Sequence, residues 1–133
     1  MDEFEHVESD SEVALEMLAS QVAGELELAG LTVLREGNIH AGAEIDVDTG
    51  ADESGGIYVT WSTNSRLSLA AALAVQQGRF DDPAIQHSGT VKQIMRKAIF
   101  ELLQSARFGV EESDDEMRPL SIRVTASPAH SAQ

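Results

Sequence analysis

The spacing of apolar residues between Thr90 and Ala106 constrains the fold of this chain most strongly. In the segment TVKQIMRKAIFELLQSA, apolar side chains recur at steps of three and four residues, which is the repeat of one face of an α-helix. The spacing therefore predicts an amphipathic helix over about four turns. We expect its apolar stripe to support a small sheet. The stripe consists of Val91, Ile94, Met95, Ala98, Ile99, Leu102, Leu103 and Ala106.

Three further segments have helical signals. A capping box at residues 9–12, with serine first and glutamate fourth, predicts the start of a first helix that Gly30 ends. Residues 67–75, LSLAAALAV, are apolar nearly all round and predict a helix buried on several sides. Asp-Pro at 82–83 predicts a short helical turn, and we expect Ser-Gly at 88–89 to end it before the long helix begins.

Four segments alternate as strands do. The interpretation places strands at about 31–36, 39–48, 57–62 and 119–125. Gly37-Asn38 has the residue types of a two-residue hairpin turn between the first two strands. Trp61 shares the inward register with Ile57 and Val59, which predicts that it anchors the core.

The element order α-β-β-β-α-α-β predicts an α+β fold. Short connections favour a mainly antiparallel four-stranded sheet, and about three helices should cover one face of it in a two-layer sandwich. A chain of 133 residues is expected to form one domain. We assign that domain to residues 9–126, with a flexible acidic lead at 1–8 and a disordered tail at 127–133.

The charge of the chain is concentrated in its first part. The net charge is −14, and residues 1–53 contain fifteen acidic residues against one basic residue, Arg35. Residues 54–133 are balanced, with eight of each sign. Such a distribution repels nucleic acid and attracts basic surfaces, so a basic protein partner is predicted and direct nucleic-acid binding is not. The alternative interpretation is that the acidic residues only promote solubility.

Several classes of protein are disfavoured by what the chain lacks. There is no cysteine, so disulfides, thiolate metal sites and a cysteine nucleophile are excluded. No apolar run is long enough to span a bilayer, and the acidic segment MDEFEHVESD has no apolar signal region. We therefore expect a cytoplasmic protein of a bacterium, or one encoded by a phage or plasmid and working in that compartment, with no membrane partner.

One acidic cluster dominates the predicted surface. It comprises Glu44, Asp46, Asp48, Asp52 and Glu53. Carboxylates at such spacing can hold calcium or magnesium, but alanine stands where an EF-hand loop requires glycine. A solvated strand end and acidic loop is the preferred interpretation, so no metal or cofactor is predicted. No nucleophile motif or phosphate-binding loop is found, and no catalytic residue is assigned.

Phe100 is the centre of a candidate protein interface. At 100° per residue it falls on the polar side of the long helix, with Arg96, Gln104, Gln93 and Arg107 around it. An aromatic side chain ringed by arginine and glutamine is typical of a protein contact surface. We expect a second protomer to cover it in a homodimer, unless another part of the monomer does so.

These features predict a non-catalytic, acidic protein-binding module. It would act as an adaptor, an inhibitor, an immunity protein or a secretion-chaperone-like factor on a basic partner. One alternative is a nucleic-acid mimic that occupies a DNA- or RNA-binding protein. Another is a small metal-dependent or acid–base enzyme that uses His40 with Glu44, Asp46 and Asp48.

Overall fold

The computed structural model describes residues 2–35, 41–49, 56–63, 65–113 and 120–128, with side chains from Glu12 onward except that of Ser65. Over these ranges the chain forms three helices and five strands. In order they are α1 (Asp2–Leu28), β1 (Val33–Arg35), β2 (Gly42–Asp48), β3 (Gly56–Ser62), α2 (Ser65–Gln76), α3 (Pro83–Ser105), β4 (Gly109–Glu112) and β5 (Ile122–Ala126). The predicted α+β class and element order are confirmed, with one strand added after the long helix.

The sheet is mixed and has the strand order β1-β2-β3-β5-β4. The prediction of four mainly antiparallel strands is therefore wrong in two respects. β4 pairs with β5 as an additional strand at the edge, and β1 pairs with β2 in parallel. A two-residue hairpin turn joins only antiparallel strands, so it cannot connect β1 to β2. The predicted turn at Gly37-Asn38 lies outside the described residues.

The core lies between one face of the sheet and two helices. Strand residues at alternate positions point inward, as their period of two requires, and meet residues of α1 and α3 spaced by three and four. Trp61 continues this inward register but is only half-buried at its margin, so it is not the central anchor that was predicted. The fully buried set includes Ala19, Val22, Leu26, Ile45, Ile57, Val59, Ile99, Leu103, Ile122 and Val124.

Helix α3 is one continuous element rather than a short turn followed by a long helix. Asp82 caps it as predicted, with its side chain accepting a hydrogen bond of 2.8 Å from the Ala84 N–H, and Pro83 occupies the first turn. The expected break at residues 88–89 is absent. Glycine inside a helix costs only about 1 kcal/mol, and Ser88 packs in the interior, so one Ser-Gly pair does not end the helix.

The buried stripe of α3 is narrower than the apolar pattern predicted. Ile99 and Leu103 are fully buried and Leu102 partly so, whereas Ile94 is 59% exposed. Helix α2 also deviates from its prediction of burial on several sides. It packs against α3, and only Ala74 is buried, while Leu69 and other apolar residues of α2 remain exposed. Sequence hydrophobicity alone does not distinguish burial within the monomer from an apolar surface.

Helix α1 begins at Asp2, before the capping box that was predicted to start it. Residues 2–8, predicted as a flexible lead, are therefore helical in the structure. Ser9 and Glu12 lie within the helix, where their backbone groups can join the regular hydrogen-bond pattern. Among the residues of α1 from Glu12 onward, whose side chains are described, Ala19, Val22 and Leu26 are fully buried.

The three helices end in the same way. After α1, the Gly30 N–H donates to the Glu27 carbonyl and the Leu31 N–H to the Leu26 carbonyl, which defines a Schellman motif. The predicted stop at Gly30 is therefore confirmed, and Gly78 ends α2 similarly. At the end of α3 the left-handed position is filled by Arg107, with φ of 74°, rather than by glycine. The next glycine, Gly109, already belongs to β4.

The left-handed backbone of Arg107 gives a stability prediction. This conformation costs a residue with a Cβ atom about 1–2 kcal/mol, whereas glycine adopts it freely but loses about 0.5–1 kcal/mol through the entropy of the unfolded chain. We expect Arg107→Gly to raise the free energy of unfolding by roughly 0.5–1 kcal/mol in urea denaturation. The reverse control is Gly30→Ala, at φ of 95° with open space around the added Cβ, which should destabilise. An Arg107→Gly variant less stable than wild type would contradict this account.

Candidate functional site

The acidic cluster forms a column on the outer face of the sheet. Glu44, Asp46 and Asp48 alternate with the inward residues of β2 and are each partly exposed. The cross-strand partners of Glu44 and Asp46 on β3 are Thr60 and Tyr58. The structure therefore brings three of the five predicted acidic-face residues together. The other two, Asp52 and Glu53, lie outside the described residues.

Ionisation of Glu44 in the column costs the folded protein free energy. Partial burial, and secondly the negative charge of Asp46, raise the pKa of Glu44 above its ordinary value of 4.5. The folded protein therefore holds a proton on Glu44 more tightly than the unfolded chain does. It follows that ionisation of this carboxyl opposes folding, and that a positive group brought next to it would relieve the cost.

This shift gives a pH prediction for Glu44→Gln. Because the pKa is raised in the folded state, the stability associated with protonated Glu44 is present below the ordinary value of 4.5 and is lost as pH rises through the folded pKa. Glutamine does not ionise, so the variant keeps this stability as the pH rises. We expect the variant to be more stable than wild type at pH 7, with the difference closing below pH 4.5, as measured by urea denaturation across pH. A wild type that is more stable than the variant at neutral pH would refute the assignment.

A groove separates α3 from the edge strand β4. It encloses about 480 Å³, and half-buried Phe100 lies in it with one side packed against the hydrophobic core. The groove contains four of the five predicted interface residues. Arg107 is not among its lining residues, because it turns the chain into β4. The lining residues are Gln93, Arg96, Lys97, Phe100, Glu101, Gln104 and Glu112.

An ion pair joins the two walls of the groove. The Arg96 Nη1 atom lies 2.7 Å from Oε1 of Glu112, so the helix is tied to the strand across the groove. The Glu112 side chain is 67% exposed, which makes this pair worth no more than about 1 kcal/mol. Only Oε1 takes part in the pair, so Oε2 can accept another hydrogen bond. On the outer face, Arg123 pairs with Oε1 of Glu111 in the same manner.

The pairing of β4 shows which of its backbone groups point away from the sheet. The Ser113 N–H donates to the Ser121 carbonyl at 3.0 Å, in line with the register that pairs Glu111 with Arg123. Hydrogen-bonding groups alternate along an antiparallel strand. Residues 111 and 113 therefore bond to β5, and the N–H and C=O groups of Val110 and Glu112 point outward. No described strand pairs with that edge.

The predicted strands do not include β4, which supplies the second wall of the groove. Two of its four residues are glutamates, which have low strand propensity. A weak signal was present, since Phe108 and Val110 alternate with Gly109 and Glu111. Glu112 was consequently not among the five predicted interface residues, and neither were Lys97 and Glu101 of α3, which also line the groove.

A second cavity, which is polar and has a volume of about 240 Å³, lies where β2 and β3 meet α2 and α3. The Ser68 hydroxyl there donates to the Thr63 carbonyl at 3.3 Å, and the buried Thr63 hydroxyl has no partner among the described residues. The described part of the cavity shows no hydrogen bond between a nucleophile and a base. Its lining residues are Glu44, Thr60, Trp61, Ser62, Thr63, Ser68 and Lys92.

Of the residues considered for acid–base or metal chemistry, Glu44, Asp46 and Asp48 share the acidic column on β2. His40 lies outside the described ranges, and His87 is exposed on α3. Within them, no group of three or more histidine, aspartate or glutamate side chains could hold a metal ion. None of the helices described is both long and apolar enough to cross a membrane. The described residues thus form two candidate surfaces, the acidic column and the groove.

Comparison with known proteins gives no relative from which a function could be transferred. No protein-family model matches the chain, and no curated protein or solved structure is detectably similar to it.

Proposed function

We propose that this protein is a non-catalytic protein-binding module that works in the cytoplasm and engages a basic partner in the groove between α3 and β4. The observation that carries the proposal is the position of Phe100. Phe100 lines a groove of about 480 Å³ together with long polar side chains, and it packs against the core. Partly buried aromatic anchors within a polar rim are the usual sites of high binding energy in protein interfaces.

The charge of the molecule supports a basic partner. A net charge of −14 creates a negative field that accelerates association with positive proteins and disfavours nucleic acid. The acidic column on β2 adds a surface on which partial burial, and secondly the charge of Asp46, raise the pKa of Glu44. A partner that reaches both surfaces would bury its apolar contact at Phe100 and place basic groups near the column.

Removing the aromatic anchor should weaken binding without unfolding the protein. Loss of such an anchor typically costs about 2 kcal/mol, which is roughly thirtyfold in affinity. We expect Phe100→Ala to weaken capture of the basic partner by about that factor. Partners are first isolated from host lysate and then titrated in purified form. Phe80→Ala is the matched control, because Phe80 is 71% exposed and lies outside the groove. Equal affinities for the two variants would exclude the groove.

Neutralising the acidic column distinguishes long-range electrostatic attraction of the partner from direct contact with it. The triple variant Glu44→Gln, Asp46→Asn and Asp48→Asn should bind the same partner more slowly and with a weaker dependence on salt. A control with Glu12, Glu25 and Glu27 of α1 changed to glutamine removes the same charge from another surface. Identical salt dependence in these two variants would show that only net charge matters.

Self-association through the groove remains a prediction. An isologous homodimer would place two Phe100 side chains against each other, and its mass would be seen by light scattering after size exclusion. If wild type is dimeric and Phe100→Ala monomeric at micromolar concentration, the groove is covered by a second copy. A monomeric wild type leaves it open to the basic partner.

A further inference from the structure

The free edge of β4 borders the groove at Glu112, and we infer that a basic, extended segment of the partner adds to the sheet there as a sixth strand. This inference rests on the proposed function and specifies how the partner is held. Val110 and Glu112 supply two N–H donors and two C=O acceptors that point away from β5. Strand addition to a sheet edge uses such groups for affinity and neighbouring pockets for specificity.

The groove lies on the helix-facing side of β4, where alternate side chains of an added strand would need a pocket. Val110 and Glu112 lie in register with Val124 and Ile122, whose side chains are in the core, so their side chains share the helix-facing surface. Side chains directly opposite them on an added strand would point the same way, toward α3 and Phe100. An apolar residue of the partner strand would thus reach Phe100 while its backbone pairs with β4.

The charges of β4 favour a basic segment over a second copy of this chain. Two copies of the edge paired antiparallel would bring Glu111 and Glu112 of one copy against those of the other, and like charges directly opposite are destabilising. Lysine or arginine at these positions would instead meet the free Oε2 atoms, because each glutamate uses only Oε1 in its existing ion pair. The opposite edge, β1, spans only three residues and offers a shorter template.

The probe is a capped seven-residue peptide of alternating lysine and valine. Its binding to the full chain is measured by fluorescence anisotropy. Glu112→Ala and Glu112→Pro both remove the ion pair with Arg96, but only proline also removes the outward N–H. We expect the proline variant to bind at least tenfold more weakly than the alanine variant. Equal affinities of the two variants would overturn strand addition. If Phe100→Ala nevertheless weakened binding, the groove proposal would stand alone.

A second measurement keeps the test independent of the folding of the proline variant. The probe is N-methylated either on all valine amides or on all lysine amides, and both forms are titrated against wild type. An added strand turns alternate amides toward β4, so one form should lose at least tenfold more affinity than the other. Equal losses would overturn the inference. A wild-type dimer that Glu112→Pro converts to monomer would also overturn it, by assigning the edge to a second copy.

Discussion

The burial of Ile99 and Leu103 against the inner face of the sheet is the interaction on which the rest of the structure depends. Both side chains are fully buried and belong to the core shared by α1, α3 and the central strands. Their burial fixes the rotation of α3. Because Phe100 follows Ile99 by about 100° around the helix, it is turned to the flank beside β4 rather than to open solvent. The groove is therefore a consequence of core packing.

The end of α3 determines where the other wall of the groove begins. The Phe108 N–H donates to the Leu103 carbonyl, which is one of the two hydrogen bonds of the Schellman motif. The side chains of Phe108 and Leu103 both lie in the core, a contact that frequently accompanies this motif. The chain therefore turns back at once and enters β4 at Gly109, antiparallel to β5. Arg107 accepts a strained backbone at this turn. Strain of that kind is tolerated when the surrounding packing fixes the conformation.

The sequence predicted the parts of the fold that are governed by local periodicity. The inward register of β2 and β3 and the shared face of Glu44, Asp46 and Asp48 follow from a period of two residues. The glycine end of α1 and the cap of α3 follow from residue types that favour helix ends. Four of the five predicted interface residues, Phe100 among them, also meet in one groove. The predictions that were wrong concerned features that depend on pairing between distant segments.

Three failures illustrate the limit. The parallel direction of β1 is set by its pairing with β2, and no residue within β1 encodes it. β4 is a four-residue strand containing two glutamates, and it forms because β5 offers a partner. The exposure of Leu69 on α2 depends on that helix packing against α3 instead of the sheet. Local propensity is overridden by tertiary context in each case.

The most direct test of the groove as the binding surface is a nuclear magnetic resonance titration of the full chain with the alternating lysine–valine peptide. If the peptide binds in the groove, shift changes will concentrate on the ring of Phe100 and the amides of Gln104, Val110 and Glu112. The column at Glu44 to Asp48 should respond more weakly and lose its response in high salt. Shift changes confined to that column, or to Leu69 and Leu73 of α2, with Phe100 unmoved, would contradict binding in the groove.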